Sequence, residues 1–262
     1  MSVSVIVCVY KDYASLNSVL QSLCKQSFKE FEVCIAQDTD DQNILPTLDK
    51  FKEKLDLQLL QQEDLGFRKN LILNKAILKS KHDKIIFIDG DCVLHRHFIK
   101  NYNQHIKKGR FCAGRRLDLD PVTSLKLIEN PETNPSVLDL FKNKTKRIEE
   151  RLYAPCLSNK LLSEPKLIGC NMGWCKSDLM LLNGFDTDYS LPGYGEDSDI
   201  EWRAKAMGME AFTMRFKAIQ FHLFHERPDR ESEVSKSREL MHMKKQLGHW
   251  KCLLGISVKE DN

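Results

Sequence analysis

Ile85-Ile-Phe-Ile-Asp-Gly-Asp91 joins the most apolar predicted strand of the chain to a pair of carboxylates. The segment predicts a buried strand over Lys84 to Ile88 and a tight turn at Asp89-Gly90-Asp91. A strand that is apolar on both faces is typical of a parallel sheet covered by helices on both sides. In such sheets, ligands bind at the carboxyl ends of the strands, which is where both aspartates lie.

The residues before this strand alternate between strand-like and helix-like spacing. Ser4 to Val9 is an apolar, β-branched run, and leucine and valine then recur at helical spacing from Leu16 to Leu23. Further strands are predicted over Phe31 to Ala36 and Leu57 to Leu60, and further helices over 44–55 and 69–79. Strands separated by helices predict an α/β fold.

Composition excludes several classes of protein. The 262 residues are 42% hydrophobic and 29% charged, and no apolar stretch approaches the roughly 18 residues of a membrane span. The 40 basic and 37 acidic side chains leave a net charge of +3, so we expect no nucleic-acid partner. The apolar run at the N-terminus lacks a preceding basic region, so we expect no signal peptide and a cytoplasmic location.

The later part of the chain divides into three segments. Five prolines and a basic stretch at 142–151 predict a solvated, partly helical excursion over 117–166. Apolar order then resumes, and after Pro228 the sequence is charged and helix-prone. We therefore predict a single domain over residues 1–228, followed by a helical extension over 229–262.

The usual phosphate-binding loops are missing after the first strand. The turn there is Cys8-Val-Tyr-Lys-Asp12, and the first glycine of the chain is Gly66, so neither a dinucleotide fingerprint nor a P-loop can follow it. A divalent metal held by carboxylates is the alternative device for binding phosphates. Asp89 and Asp91 are the candidate ligands, because other Asp-x-Asp pairs do not follow so apolar a strand.

Two other clusters carry chemically useful side chains. Gly193-Tyr-Gly-Glu-Asp197 places two acidic residues at a predicted helix start, where the helix dipole favours negative charge. His222 and His225 follow the apolar run 218–221. Each cluster alone fits a structural role, as an acidic helix start or a packed histidine. Together with the two aspartates they provide metal ligands and a base.

In combination, these motifs resemble the family 2 glycosyltransferases of the GT-A fold, in the bacterial polysaccharide branch that includes chondroitin-polymerase-like enzymes. The resemblance runs in family order over roughly residues 3–228. Its motifs are Ser4-Val-Ile-Val-Cys-Val-Tyr10, Asp64-Leu-Gly-Phe-Arg68 with Asn74, Ile85-Ile-Phe-Ile-Asp-Gly-Asp91, Gly169-Cys-Asn-Met172, Asn183-Gly-Phe-Asp186, Gly193-Tyr-Gly-Glu-Asp197 and Phe221-His222.

The resemblance implies a Rossmann-like, mixed but mostly parallel sheet flanked by helices. It implies a nucleotide-binding half at about 1–116 and an acceptor and sugar half at about 117–228. The implied nucleotide-binding residues are Val9, Tyr10, Asp38, Asp64, Arg68, Asn74, Asp89 and Gly90, and the implied sugar-binding residues are Asn171, Met172 and Gly195. Asp89, Asp91 and His222 would hold Mn²⁺ or Mg²⁺, with His225 as the alternative to His222. Asp197 would be the general base, with Glu196 beside it at the sugars.

The implied reaction is a metal-dependent, inverting transfer. The expected donor is a UDP-linked hexose or N-acetylhexosamine. The expected acceptor is a glycan or a lipid-linked molecule in capsule or lipopolysaccharide synthesis. Such an acceptor would bring the protein to the inner membrane, through residues 142–151 or the C-terminal helix. Tyr194 replaces a tryptophan of the galactosyltransferase motif, which leaves the sugar open. The sequence does not define the oligomeric state.

Two other functions remain as alternatives. Ile85 to Leu94 also resembles the first motif of haloacid-dehalogenase-type phosphatases, with Asp89 as nucleophile, Asp91 as acid/base, and 195–199 as the later metal motif. That motif normally lies on the first strand of the chain, which disfavours this interpretation. A non-catalytic binding module is disfavoured because it has no need of the base Asp197.

Overall fold

A computed structural model describes residues 2–130, 140, 145–157, 162, 164–226 and 228–257. The strands are β1 (Val3–Val9), β2 (Phe31–Gln37), β3 (Asp56–Gln61), β4 (Lys84–Asp89), β5 (Cys92–Leu94), β6 (Arg110–Ala113), β7 (Leu117–Asp118), β8 (Asn171–Cys175), β9 (Glu210–Thr213) and β10 (Gln220–His222). The α-helices are α1 (Tyr13–Cys24), α2 (Leu45–Asp49), α3 (Lys69–Lys79), α4 (Phe98–His105), α5 (Pro121–Glu129), α6 (Lys176–Leu181), α7 (Glu196–Ala206) and α8 (Glu231–Gln246). Short 3-10 helices lie at Gln42–Ile44 and Ile148–Arg151.

The main sheet has the strand order β3-β2-β1-β4-β8-β6-β9. The first four strands in this order are parallel, β8 runs antiparallel to both of its neighbours, and β9 is parallel to β6. This arrangement confirms the predicted α/β fold with a mixed, mostly parallel sheet. The carboxyl ends of β1, β2 and β4 meet at one edge, as expected for parallel strands.

The sheet is buried on both faces, which explains why its strands are apolar throughout. Val5 and Val7 of β1 face one hydrophobic cluster, which includes Leu16 and Leu20 of α1. Ile6 faces the opposite cluster, which contains residues of α3 and β8. Burial of alternate residues against two helical layers is the main stabilisation of such a sheet.

A small second sheet brings distant parts of the chain together. Its order is β5-β10-β7, with β10 antiparallel to β5 and parallel to β7. His222 on β10 is therefore paired with Cys92 on one side and with Asp118 on the other. The backbone N–H of Leu223 also donates to the carbonyl of Asp91, 2.9 Å away. The sheet thus places His222 beside the turn that follows β4.

Two predicted elements differ from the structure. The predicted helix over 44–55 forms α2 only as far as Asp49, and residues 50–54 continue as turns. Phe51 in these turns and Leu55 directly after them are still buried. The excursion over 117–166 contains α5, but it is less solvated than expected. Leu127 and Leu140 are buried in a cluster with residues of the second sheet. The basic residues Lys142 and Lys144 lie outside the described residues.

The C-terminal segment is anchored to the domain by a buried ion pair. Lys244 of α8 lies 2.5 Å from Asp186 Oδ2 and also pairs with Asp188. Beyond the helix, the backbone N–H of Ile256 donates to the carbonyl of Asn183, 3.0 Å away. Across the described ranges, the helices are too short or too polar to cross a membrane.

Candidate active site

Two cavities meet at the carboxyl edge of the main sheet. The first, about 530 Å³, opens between the turns after β1, β2 and β4. The second, about 420 Å³, extends toward the start of α7. The residues that line both are Phe67, Lys69, Asp89, Asp91, His225 and Arg230. The cavities therefore have a common wall built around Lys69 and the two aspartates.

The first cavity is walled by the turns that the sequence predicted. Val9 and Tyr10 follow β1, and Gly90 follows β4. The Gly90 backbone N–H donates to the Cys8 carbonyl at 2.7 Å, and a Cβ at Gly90 would lie 3.1 Å from two side-chain carbons of Val9. Gly90 thus lets the two turns approach closely. Val9, Tyr10 and Gly90 therefore lie together on one wall of the first cavity.

Asp38 lines the first cavity and also fixes the loop opposite it. Its Oδ1 accepts from the Gln62 side chain at 2.6 Å, and its Oδ2 accepts from the Arg68 backbone N–H at 2.9 Å. Burial raises the pKa of Asp38, while these hydrogen bonds act in the opposite direction. Asp64 does not line either cavity, but it accepts hydrogen bonds from the side chains of Lys11 and of Tyr10, which lines the first cavity.

Several predicted site residues do not line either cavity. The Asn74 side chain exchanges two 2.8 Å hydrogen bonds with the Phe185 backbone. Asn171 is fully buried on β8, where it accepts from the Tyr102 hydroxyl at 2.6 Å. Met172 is buried in the core between the sheet and α3. The structure therefore places these three side chains in the framework behind the site.

Gly195 contributes its backbone conformation. It precedes α7 with φ of +118°, and a Cβ there would lie 2.2 Å from Cδ1 of Tyr189. Side chains rarely adopt this backbone region, and the ring leaves no space for one. Gly195 therefore allows the sharp entry into α7 that brings Glu196 and Asp197 to the second cavity.

Asp91, His222 and His225 form a cluster that could hold a metal ion. One ligand atom of each lies within 4.8 Å of the other two. Each histidine Nε2 is 3.4 Å from Asp91 Oδ2, and His222 Nδ1 is 3.5 Å from Asp118 Oδ1. Burial alone would raise the pKa of Asp91, but His222, with smaller contributions from Cys92 and His225, lowers the pKa to about 2. The structure thus brings both candidate histidines to Asp91.

Asp89 has a different partner. Its Oδ1 lies 3.0 Å from the ammonium of Lys69, whose Nζ is also 2.8 Å from Glu196 Oε1. Burial alone would lower the pKa of Lys69, but the charges of Asp89 and Glu196 hold it well above its usual value. Burial raises the pKa of Glu196, and Lys69 opposes that shift. Sequence reasoning missed Lys69, because its partners are 20 and 127 residues away.

Asp197 lines the second cavity at the first turn of α7. Its Oδ2 accepts from the Gly169 backbone N–H at 3.1 Å, and its Oδ1 accepts from that of Ser198 at 2.6 Å. The partial positive charge at the N-terminus of α7 attracts an acidic side chain at this position. The Ser198 hydroxyl also donates to Oδ1 at 3.2 Å, so Oδ2 is the oxygen that keeps a lone pair with which Asp197 can accept a proton from a ligand.

Arg230 is a second site residue that the sequence analysis did not identify. It lies just before α8 and lines both cavities, as does the preceding His225. Arg230 lies in a segment with many charged residues, so nothing in the local sequence distinguished it as a site residue. The link between β10 and α8 therefore forms one wall of the site.

Comparison with known proteins identifies the family of this chain. The sequence profile described as glycosyl transferase family 2 matches residues 4–160. This chain belongs to glycosyl transferase family 2. The match begins at β1 and includes the Asp89-Gly90-Asp91 turn.

This glycosyltransferase is similar to longer proteins. The chondroitin synthase of Pasteurella multocida (strain Pm70) is 22% identical over 253 residues, which is 90% of this chain but only 26% of the synthase. The chain therefore spans about a quarter of that relative. The match does not include the remaining length of the synthase.

Solved structures show the same fold. The complex of Staphylococcus aureus TarS residues 1–349 with UDP-GlcNAc has a TM-score of 0.59 and 17% identity, covering 93% of this chain and 66% of that one. A mannosyltransferase from Pyrobaculum calidifontis, in complex with GDP-Man and Mn²⁺, has a TM-score of 0.57 and 17% identity, covering 94% and 62%. The GT-A fold is confirmed, and the phosphatase alternative finds no support.

Proposed function

We propose that this glycosyltransferase moves a hexose or N-acetylhexosamine from a UDP-linked donor to a hydroxyl of a glycan or lipid-linked acceptor, with inversion. The observation that carries the proposal is the meeting of two cavities at Asp89 and Asp91, with Asp197 in the second cavity. One cavity suits a nucleotide and the other an acceptor, so the transferred sugar would lie at their common wall.

The first cavity supports binding of a nucleoside diphosphate. Its volume of about 530 Å³ is within the usual range for small-molecule sites. Val9 and the exposed ring of Tyr10 offer apolar surface for a base, and Asp38 offers a buried carboxylate. The TarS complex with UDP-GlcNAc has the same fold, which supports UDP as the first nucleotide to test.

The donor atoms around Asp91 fit a divalent cation. A carboxylate with two imidazoles would favour Mn²⁺ over Mg²⁺, because nitrogen ligands suit the transition metal better. Asp118 lies behind His222, as a carboxylate commonly does behind a metal-bound histidine. Asp89, predicted as a further ligand, forms an ion pair with Lys69 through its Oδ1. When bound, the ion supplies positive charge that stabilises a departing diphosphate.

Asp197 acts as the general base in this proposal. It accepts the proton of the acceptor hydroxyl while the hydroxyl oxygen forms a bond to the anomeric carbon. The bond from that carbon to the β-phosphate oxygen breaks, and UDP leaves with the electron pair. Attack from the side opposite to UDP inverts the anomeric configuration.

The test is a calorimetric titration of UDP with and without Mn²⁺. Metal-dependent binding by the wild type, lost in Asp91→Ala, supports the nucleotide site. Asp197→Asn should keep UDP binding and lose transfer by at least 10²-fold, as expected for loss of a general base. Absence of UDP binding under both conditions would contradict the proposed donor. Unchanged behaviour of Asp197→Asn would favour the binding module.

We further propose that the acceptor belongs to bacterial surface polysaccharide synthesis and that the C-terminal segment contacts the inner membrane. Leu247, Trp250 and Leu253 are exposed near Lys245 and Lys251 in this segment. Each basic residue near an anionic leaflet contributes only about 1 kcal/mol, so binding should be weak and sensitive to salt. Failure to pellet with anionic liposomes at low salt would refute membrane contact.

A further inference from the structure

Lys69 occupies the wall that separates the two cavities. It is the first residue of α3, and its side chain is 14% exposed. Its ammonium reaches Asp89 at the end of β4 and Glu196 at the start of α7, at 3.0 and 2.8 Å. A single cation thus connects the end of β4, which lines the first cavity, to the start of α7, which lines the second cavity.

Glu196 is held from two sides. Its Oε1 accepts from Lys69 and lies where a Cβ at Gly169 would be only 2.4 Å away. The Gly169 backbone N–H donates to Asp197, so the same glycine contacts both acidic residues. The carboxylate of Glu196 therefore has little freedom to move except away from Lys69, into the second cavity.

The ammonium also separates like charges. Asp89, Glu196 and Asp197 all line the second cavity, and Asp89 and Asp197 each disfavour ionisation of Glu196. In a partly buried site such repulsion is only weakly screened. Without Lys69, the carboxylate of Glu196 would turn away from Asp89 or take up a proton.

We propose that Lys69 is a positioning residue for sugar transfer, which holds the Glu196 carboxylate at the junction of the cavities, where it accepts a hydrogen bond from a sugar hydroxyl. This inference rests on the proposed function, because the junction is where the transferred sugar would lie. Lys69 acts through Glu196 and does not itself contact the reacting atoms. The Lys69 side chain thereby couples the position of Asp89 in the first cavity to that of Glu196 in the second cavity.

The test is a double-mutant cycle of Lys69→Met and Glu196→Gln, with Lys69→Arg as the conservative variant. UDP release from UDP-GlcNAc, or from whichever UDP-sugar the wild type turns over, gives kcat and KM, and calorimetry gives the Kd of UDP. Lys176→Met is the control. Lys176 also begins a helix, but it donates to the Leu78 and Ser80 carbonyls.

We expect Lys69→Met to lower kcat about 100-fold, as a misplaced group in an active site does, while the Kd of UDP changes less than threefold. The kcat of the double variant should be no lower than that of Glu196→Gln alone, because the two changes remove the same interaction. Lys69→Arg should recover at least a tenth of the wild-type kcat. Lys176→Met should leave kcat within twofold of the wild type.

Other outcomes would overturn the inference. Multiplicative losses in the double variant would mean that Lys69 acts independently of Glu196. A more than tenfold weaker Kd for UDP with unchanged kcat would mean that Lys69 binds the nucleotide directly. A lower urea midpoint without loss of kcat would leave Lys69 only a structural role. If the wild type turns over no UDP-sugar, the proposed function fails first, and the positioning role falls with it.

Discussion

At the scale of single residues, the chemistry of the site depends on two histidines that converge on one carboxylate. The rings of His222 and His225 lie 5.1 Å apart, and both Nε2 atoms face Asp91 Oδ2. His222 is buried and has Asp118 behind its other nitrogen, whereas the side chain of His225 is 46% exposed. The buried histidine is thus fixed by packing and by Asp118, whereas the exposed one has, among the described residues, only the Glu226 carbonyl, 3.0 Å from its Nδ1, at its other nitrogen.

This difference predicts unequal effects on Mn²⁺ binding. His222→Ala should weaken Mn²⁺ binding more than His225→Ala, because the fixed ring loses less conformational freedom when it binds the ion. Asp118→Asn should weaken it by about 10-fold, since it removes the partner that orients His222. Calorimetric titration with Mn²⁺ alone measures each effect.

The exposed His242 of α8 provides the matched control for these variants. His242→Ala should leave the Kd for Mn²⁺ unchanged. Equal Kd values for the wild type and both active-site histidine variants would refute the assignment of the metal cluster.

At the scale of elements, the C-terminal helix packs against the rest of the domain through a buried ion pair. Lys244 of α8 is 5% exposed and pairs with Asp186, which is 1% exposed. The same loop is held from the other side by Asn70, whose side chain donates to the Asp186 carbonyl at 2.7 Å. The helix and the loop after α6 therefore stabilise each other at a buried contact.

We expect Lys244→Met to lower the free energy of unfolding by about 3 kcal/mol, because it leaves the buried Asp186 without its cation. Urea denaturation measures the change. Lys205→Met is the matched comparison, since Lys205 forms a partly exposed pair with Glu201 on α7 and should cost less than about 1 kcal/mol. Similar losses in the two variants would show that the buried pair does not anchor α8.

At the scale of the whole molecule, stability should depend on pH through a histidine that is not part of the metal cluster. His95 follows β5, and its ring lies 4.7 Å from that of Tyr153. Burial, together with the charges of His97 and Arg96, lowers the pKa of His95 to about 4. The folded protein therefore keeps this imidazole neutral at pH values where the unfolded chain binds a proton.

The sign of the effect follows from this difference in proton binding. Between pH 6.5 and 4 the unfolded state binds more protons at His95, so its contribution to stability falls as the pH is lowered. When the pH is lowered from 7 to 4.5, we expect the free energy of unfolding to fall less in His95→Gln than in the wild type. The difference between the two decreases should be about 1–3 kcal/mol. Urea midpoints at several pH values test this, and parallel curves for the two proteins would contradict it.

The sequence alone determined the α/β class and the edge of the sheet that carries the site. Strand and helix periodicity, and the turn chemistry of Asp89-Gly90-Asp91, are local properties that can be recognised within a few residues. The ordered motifs also identified the glycosyltransferase family, which the profile match confirms. The roles of the individual site residues stay predictions.

Only the tertiary structure decided which side chains share the site. Asn171 belongs to the Gly169-Cys-Asn-Met172 motif, yet β8 pairs between β4 and β6 and takes its side chain into the core. Lys69 carries no local signal, yet it meets Glu196 across 127 residues of sequence. His225 reaches Asp91 because the second sheet pairs β10 with β5. Such contacts follow from the pairing of distant strands and helices, which local periodicity does not specify.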